Sequence, residues 1–303
     1  MTRTSSLKFD RWKLANGQTY AYSLFKKHHT ELNSLYWSYA PTFKHAYKAT
    51  KGLAISDKAS TVFALPAPDD TRINLTLKEW SDNFNSFDNW VRLNAILSSL
   101  SYFEVYMRTI IQNALQSDPG VIYSSSHSID GIKLVKTLSE SSYKKKLAFD
   151  EEVRACTRGT WSERTNYYKV IFGHIPQLLE NNISTLDNLR KLRNGVAHTF
   201  GRSADDYNIP LIIKPKPFQT CSIERLRKSL GLIEKLAQSI EHDLSSIHIG
   251  EFESLLFYHR WDKKYDHACS SEHRALSEEV FRVRGNHRGL IYYENLIRYY
   301  KNL

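Results

Sequence analysis

The chain has 303 residues, 42 Lys and Arg against 32 Asp and Glu, and a formal net charge of +10. Hydrophobic residues make up 41%, with only 12 Gly and 8 Pro, which excludes a disordered chain and disfavours a β-sandwich. The positive charge suits a polyanion such as RNA without demanding it. Three scattered cysteines, Cys156, Cys221 and Cys269, give no disulfide framework and point to a reducing compartment.

Residues 1–20 read as irregular, with a turn at Asn16-Gly17. Met1 to Lys13 is polar and basic, unlike a signal peptide. No apolar run approaches the ~20 residues of a membrane helix, so a soluble, cytoplasmic protein with no membrane partner is expected. Tyr20 to Ala40 has helical periodicity that Pro41 is expected to interrupt, with a second short helix to about Thr50. The basic cluster Lys26, Lys27, His28 and His29 reads as a solvated helix face. Residues 59–68 are β-branched and end in prolines, so an extended segment or short edge strand is predicted.

Asp82 to Ser117 is the cleanest helix, with Leu93, Ile96, Leu97, Leu100, Phe103, Met107, Ile110, Ile111 and Ala114 on one broad stripe. Glu104 falls inside that stripe, and Arg108 follows one turn later at its edge. A carboxylate in an apolar stripe needs a cation. Asp118-Pro119-Gly120 ends the helix. A helix is expected from about Ile129 to Leu138, then the exposed run Lys144-Lys145-Lys146. Another is expected from Tyr167 to Glu180, breaking near Pro176.

Ser184 to Arg202 reads S-T-L-D-N-L-R-K-L-R-N-G-V-A-H-T-F-G-R. Ser184 or Thr185 is placed to cap a helix, with Asp187 favouring its positive start. Leu186, Leu189, Val196 and Phe200 recur at helical spacing, and the helix is expected to stop at or soon after Gly195. Arg193 lies within the stripe and needs a partner there; Glu104 is the natural candidate. Five residues on stands His198, whose ordinary pKa lies near neutrality. The spacing alone is cheap, since Arg282 and His287 repeat it and Arg260 and His267 nearly do. Arg and His near a helix C-terminus also serve simply to complement its dipole.

Residues 203–220 hold three prolines and read as a loop or short strand. Ser222 then caps a long helix whose apolar residues, from Ile223 through Leu230 and Ile240 to Ile247, form a seam that needs a covering helix from this chain or a second copy. The aromatic stretch 251–303 is mostly helical. Asp266, His267, Cys269 and His273 match no standard zinc spacing, and Arg282, Arg284, His287 and Arg288 read as a surface patch. No phosphate-binding, dinucleotide-binding or hydrolase glycine motif occurs, so no metal or cofactor is expected.

With Arg193-Asn194-Gly195-Val196-Ala197-His198 in place, the chain resembles the HEPN superfamily. That family carries R-x4-6-H near the end of one helix of a small helical bundle, just before the final helix. The E-x-x-x-R of Glu104–Arg108, the R-N-x-x-A-H segment and the trailing Arg202 look most like its abortive-infection (Abi-like) branch. The resemblance implies an all-α fold: a HEPN-like bundle over residues 82–248, with helical extensions over 1–81 and 249–303. It implies a metal-independent endoribonuclease of toxin or anti-phage type, a homodimer with paired motifs, and an antitoxin or phage-derived trigger as partner. Arg193, His198, Asn194 and Glu104 are then the candidate catalytic residues. Arg108, Arg190, Lys191, Arg202, Lys144, Lys145 and Lys146 are the candidate RNA contacts. The alternatives are a non-catalytic HEPN module binding RNA or a protein, and an unrelated helical interaction protein.

Overall fold

A computed structural model describes residues 9–15, 17–199, 219–265, 271–285 and 288–303. Thirteen α-helices and no strand occur among them: α1 (Tyr20–Ala49), α2 (Ala59–Val62), α3 (Leu77–Ser117), α4 (Gly131–Thr137), α5 (Glu140–Lys146), α6 (Asp150–Thr157), α7 (Trp161–Phe172), α8 (Gln177–Glu180), α9 (Ile183–Thr199), α10 (Ile223–Leu244), α11 (Phe252–Asp262), α12 (Glu272–Arg284) and α13 (Leu290–Lys301). None is long and apolar enough to cross a membrane.

Contacts divide the chain into two units. One comprises Met1–Ser23, Tyr106–Asn181 and Ala237–Leu303; the other comprises Leu24–Val105 and Asn182–Leu236. This division cuts across the expected boundaries at 81/82 and 248/249, because α1, α3 and α10 each contribute residues to both units.

In the second unit the contacts close a ring of four helices. Phe25 of α1 meets Phe103 of α3 at 6.2 Å between ring centres. Glu104 of α3 meets Arg193 of α9. Thr185 and Leu189 of α9 share a groove with Arg225 and Ser229 of α10. Glu234 of α10 returns to His29 of α1. The apolar stripes fill the centre: Leu93, Ile96, Leu100 and Phe103 from α3, Leu186, Leu189 and Leu192 from α9, and Leu226, Leu230 and Ile233 from α10 are all buried. Burial of such side chains is the main stabilising term, about 1.5–3 kcal/mol each.

Several expectations are corrected here. Pro41 lies inside one continuous helix. Proline removes one helical hydrogen bond and crowds the preceding turn, but an aromatic ladder fastens the following turns to α3: Phe43 on Phe84 at 4.7 Å and Tyr47 on Trp80 at 5.7 Å. The predicted edge strand at 59–68 is instead the single helical turn α2, followed by loop. The β-branched run has no strand to pair with, and only the lone bridge between Lys58 and Thr76 forms. His29 does not face solvent with Lys26, Lys27 and His28. It is buried, and its Nδ1 bonds the Tyr102 hydroxyl at 2.8 Å. The α10 seam is covered by this chain itself: Leu226, Leu230, Ile233, Ala237, Ile240 and Leu244 are buried, and only Ile223 and Ile247 at its ends are exposed. It therefore does not call for a second copy.

In the first unit, α6 packs on α7, α12 on α13 and α4 on α11. The Thr160 hydroxyl accepts the Glu163 N–H while the Glu163 carboxylate accepts the Thr160 N–H, which starts α7 as a capping box. Gly173, at φ +79°, stops it, earlier than the predicted bend at Pro176. Arg11 is buried and donates to the Ile249 carbonyl at 2.9 Å, the Ser117 carbonyl at 2.9 Å and Asp130 at 3.1 Å. The predicted surface patch is partly interior, since Arg288 pairs with the fully buried Glu251 at 2.7 Å.

Candidate functional site

Helix α9 carries the R-N-x-x-A-H segment. It begins at Ile183, one residue before the predicted cap. Leu186 N–H bonds the Asn182 carbonyl at 2.9 Å, and Asp187 pairs with Arg190 at 3.0 Å. The helix runs without a break through Gly195 to Thr199. Buried Leu186, Leu189, Leu192 and Val196 anchor one face.

Arg193 lies beside that face. Its Nη2 donates to Glu104 Oε1 at 3.2 Å, with side chains only 24% and 20% exposed. Two charges placed in apolar stripes, 89 residues apart, thus find each other. Pairing satisfies both where water is scarce, and leaving either alone would be costly. One edge of the guanidinium is turned to the carboxylate, and the side chain retains surface from which it can approach an anion.

Asn194 is half-buried and His198 exposed. They are four positions apart on one helix, so they share a face. Arg193 and His198 are five apart, which turns them about 140° from each other on an unbroken helix. A single chain therefore presents the guanidinium and the imidazole in different directions. Lys191 is exposed, and Arg190 is half-buried against Asp187. Arg202 lies outside the described residues, as do Phe200, almost all of the 203–220 segment, Asp266, His267, Cys269 and His287.

The remaining predicted RNA contacts belong to the first unit. Lys144, Lys145 and Lys146 are exposed on α5, where Lys144 pairs with Glu140 at 2.8 Å. Arg108 is not tied to Glu104. It lines a cleft of about 610 Å³ with Asp150, Val153, Arg154, Thr157 and Arg158. Arg154 and Arg158 were not singled out from the sequence. The available signal was a spacing of four between the arginines, each directly after a buried residue, Val153 and Thr157.

Among the described residues one group brings metal-type donors together: Asp118, His127 and His248, with one ligand atom each inside 4.8 Å. Most of their atoms are already engaged, His248 Nε2 being the buried exception. Asp118 accepts the His127 N–H at 2.8 Å and lies 2.9 Å from His248 Nδ1, while His127 Nε2 bonds the Ile247 carbonyl at 2.6 Å. The Arg11 guanidinium also acts on Asp118, so a cation there would meet an existing positive charge. The trio is explained as a hydrogen-bonded joint between the end of α3 and the turn after α10.

Compared with family models, with curated proteins and with solved structures, the chain matches none.

Proposed function

We propose that this chain is a metal-independent endoribonuclease of toxin or anti-phage type that acts as a homodimer. The observation that carries the reading is the Glu104–Arg193 pair, an arginine held by a carboxylate on a neighbouring helix, one residue before Asn194 and five before a solvent-exposed His198. The ring of four helices around it agrees with the HEPN-like bundle that the motif implies.

The chemistry follows from these groups. The ribose 2′-OH attacks the adjacent phosphorus and the 5′-oxygen leaves, giving a 2′,3′-cyclic phosphate and a 5′-OH. One His198 takes the 2′-OH proton, and His198 of the partner subunit gives a proton to the leaving oxygen. Arg193 stabilises the charge that builds on the phosphorane oxygens. Asn194, on the His198 face, positions the imidazole or the phosphate, and Glu104 orients Arg193. The divergence of Arg193 and His198 makes the second copy part of the mechanism: an isologous dimer brings the guanidinium of one protomer to the imidazole of the other. An antitoxin or a phage-derived trigger would act on this assembly.

The test is incubation with mixed RNA in EDTA, followed by analysis of the new ends. Wild type is expected to leave cyclic-phosphate and 5′-OH termini, and His198→Ala to lose at least about 100-fold in rate. Unchanged cleavage by His198→Ala, or strict metal dependence, would sink the proposal. Light scattering at micromolar concentration should report a dimer. The divergence within one chain also favours a second reading, a HEPN-like module that binds RNA without cutting it; binding with no cleavage would select it.

A further inference from the structure

We infer that Arg108, Arg154 and Arg158 form a docking cleft for the phosphates of an RNA strand, an inference that rests on the ribonucleic-acid reading above. The cleft is built by side chains of α3, of α6 and of the residue that ends α6. On α3, Arg108, Gln112 and Gln116 follow each other at intervals of four and so share a face. Gln112 donates to the Ala148 carbonyl at 2.8 Å and Gln116 to the Leu147 carbonyl at 3.0 Å. These two bonds clamp the segment entering α6 onto α3, just beyond Arg108. Arg154 stands in the last turn of α6, and Arg158 is the residue that ends it, in extended backbone. Val153 and Thr157, both buried, also line the space.

Three guanidinium groups and one carboxylate, Asp150, line this space. None of the three arginines has an ion pair among the described residues, unlike Arg190, Arg193 and Arg282 on other helices. Three positive charges against one negative leave a net positive lining that attracts a polyanion. Guanidinium forks match phosphate oxygens two at a time. A volume of about 610 Å³ suits a nucleotide-sized segment better than a single phosphate group. The lining offers no aromatic ring on which a base could stack, so the cleft would track the backbone without reading sequence.

The experiment uses full-length protein carrying His198→Ala, which prevents cutting, and a fluorescein-labelled single-stranded RNA followed by anisotropy. Affinity is measured across a salt series. Loss of two phosphate contacts in Arg154→Ala with Arg158→Ala is expected to reduce the slope of log K against log salt by about 1.4, at about 0.7 per phosphate for single strands, and to weaken low-salt binding at least tenfold. Arg154→Lys with Arg158→Lys keeps the charge and should restore most of the slope. Arg72→Ala, an exposed control paired with Asp69, should change neither quantity.

An unchanged slope and affinity in the double alanine variant would overturn the proposal, as would an equal loss in Arg72→Ala. Saturable binding of inorganic phosphate alone, lost in the double variant while RNA affinity is kept, would reassign the cleft to a small anion and also overturn it. Cleavage is scored separately. Arginine-dependent binding with no cleavage by wild type keeps the cleft and removes the nuclease reading. Cleavage lost in His198→Ala, with RNA affinity unchanged in the double alanine variant, removes the cleft alone.

Discussion

Replacing Glu104 tests the placement of Arg193 directly. At 3.2 Å and an effective dielectric of about 20, the bare attraction is about 5 kcal/mol. Desolvation of both groups takes back most of it. Exposed pairs contribute about 0.2–1 kcal/mol, whereas removing one member of a fully buried pair costs about 3–5 kcal/mol. With roughly a quarter to a fifth of each side chain still exposed, this pair falls between those limits. Glu104→Ala should therefore lower stability by about 2 kcal/mol, since it strands a guanidinium among apolar neighbours. A double-mutant cycle with Glu104→Gln and Arg193→Met, read by urea denaturation, should give a coupling near 1.5 kcal/mol. Added salt should change that coupling little, because the pair is partly shielded. A coupling below about 0.3 kcal/mol, typical of a weak surface pair, would refute the claim that Glu104 holds Arg193. It would also remove the main support for a role of Glu104 in orienting the arginine toward RNA.

Three further outcomes follow from the fold. Arg11→Met removes the guanidinium bonds to the Ile249 and Ser117 carbonyls and the charge facing Asp130, so a loss of about 3–5 kcal/mol is expected in chemical denaturation. Gly250 sits at φ +50°, where a Cβ would lie 2.3 Å from the Arg11 carbonyl oxygen and 2.7 Å from Trp12 Cα; Gly250→Ala should cost at least about 2 kcal/mol and lower the melting temperature by calorimetry. Glu253 retains some surface, but its carboxylate is enclosed by the Tyr20 N–H and Asn113, and burial pushes its pKa up to about 8. The folded chain then holds a proton that the unfolded chain releases above about pH 4.5, so between those values each rising pH unit should remove up to about 1.4 kcal/mol. Glu253→Gln should flatten that slope, and an unaltered profile would count against it.

The elements that were legible in the sequence are those whose signal is local. The stripes of α3 and α10 recur every three or four residues, and Ser222 does cap α10 through the Arg225 N–H at 3.1 Å. Glu104 and Arg193 were legible for a related reason: each interrupts an apolar stripe, and each interruption asks for the opposite charge. What escaped has no local signature. Arg11 reaches residues 106 to 238 positions away, so nothing near it announces burial. Glu241 interrupts the α10 seam just as Glu104 interrupts that of α3, yet it went unremarked; it accepts the Thr19 N–H and hydroxyl and meets Tyr106. Pro41 reads as a break from propensity alone, because the aromatic ladder that holds the helix beyond it is tertiary. His29 was grouped with its charged neighbours although it lies four residues after Phe25, on the buried side.

The joint made by Arg11 also sets a timetable. Arg11, Thr19 and Tyr20 bond Ile249, Glu241 and Glu253, so at the ribosome these bonds must wait for some 230 residues to be made. At about 5–20 residues per second, that delay is roughly ten to fifty seconds. Until then Arg11 has only Ser117 and Asp130 as partners, the start of α1 lacks its carboxylates, and the unit they help to build cannot close. A chain stopped before residue 241 would lack this closure, whatever the state of its middle. The first unit thus closes late in the order of synthesis, after every residue of the second unit has been made.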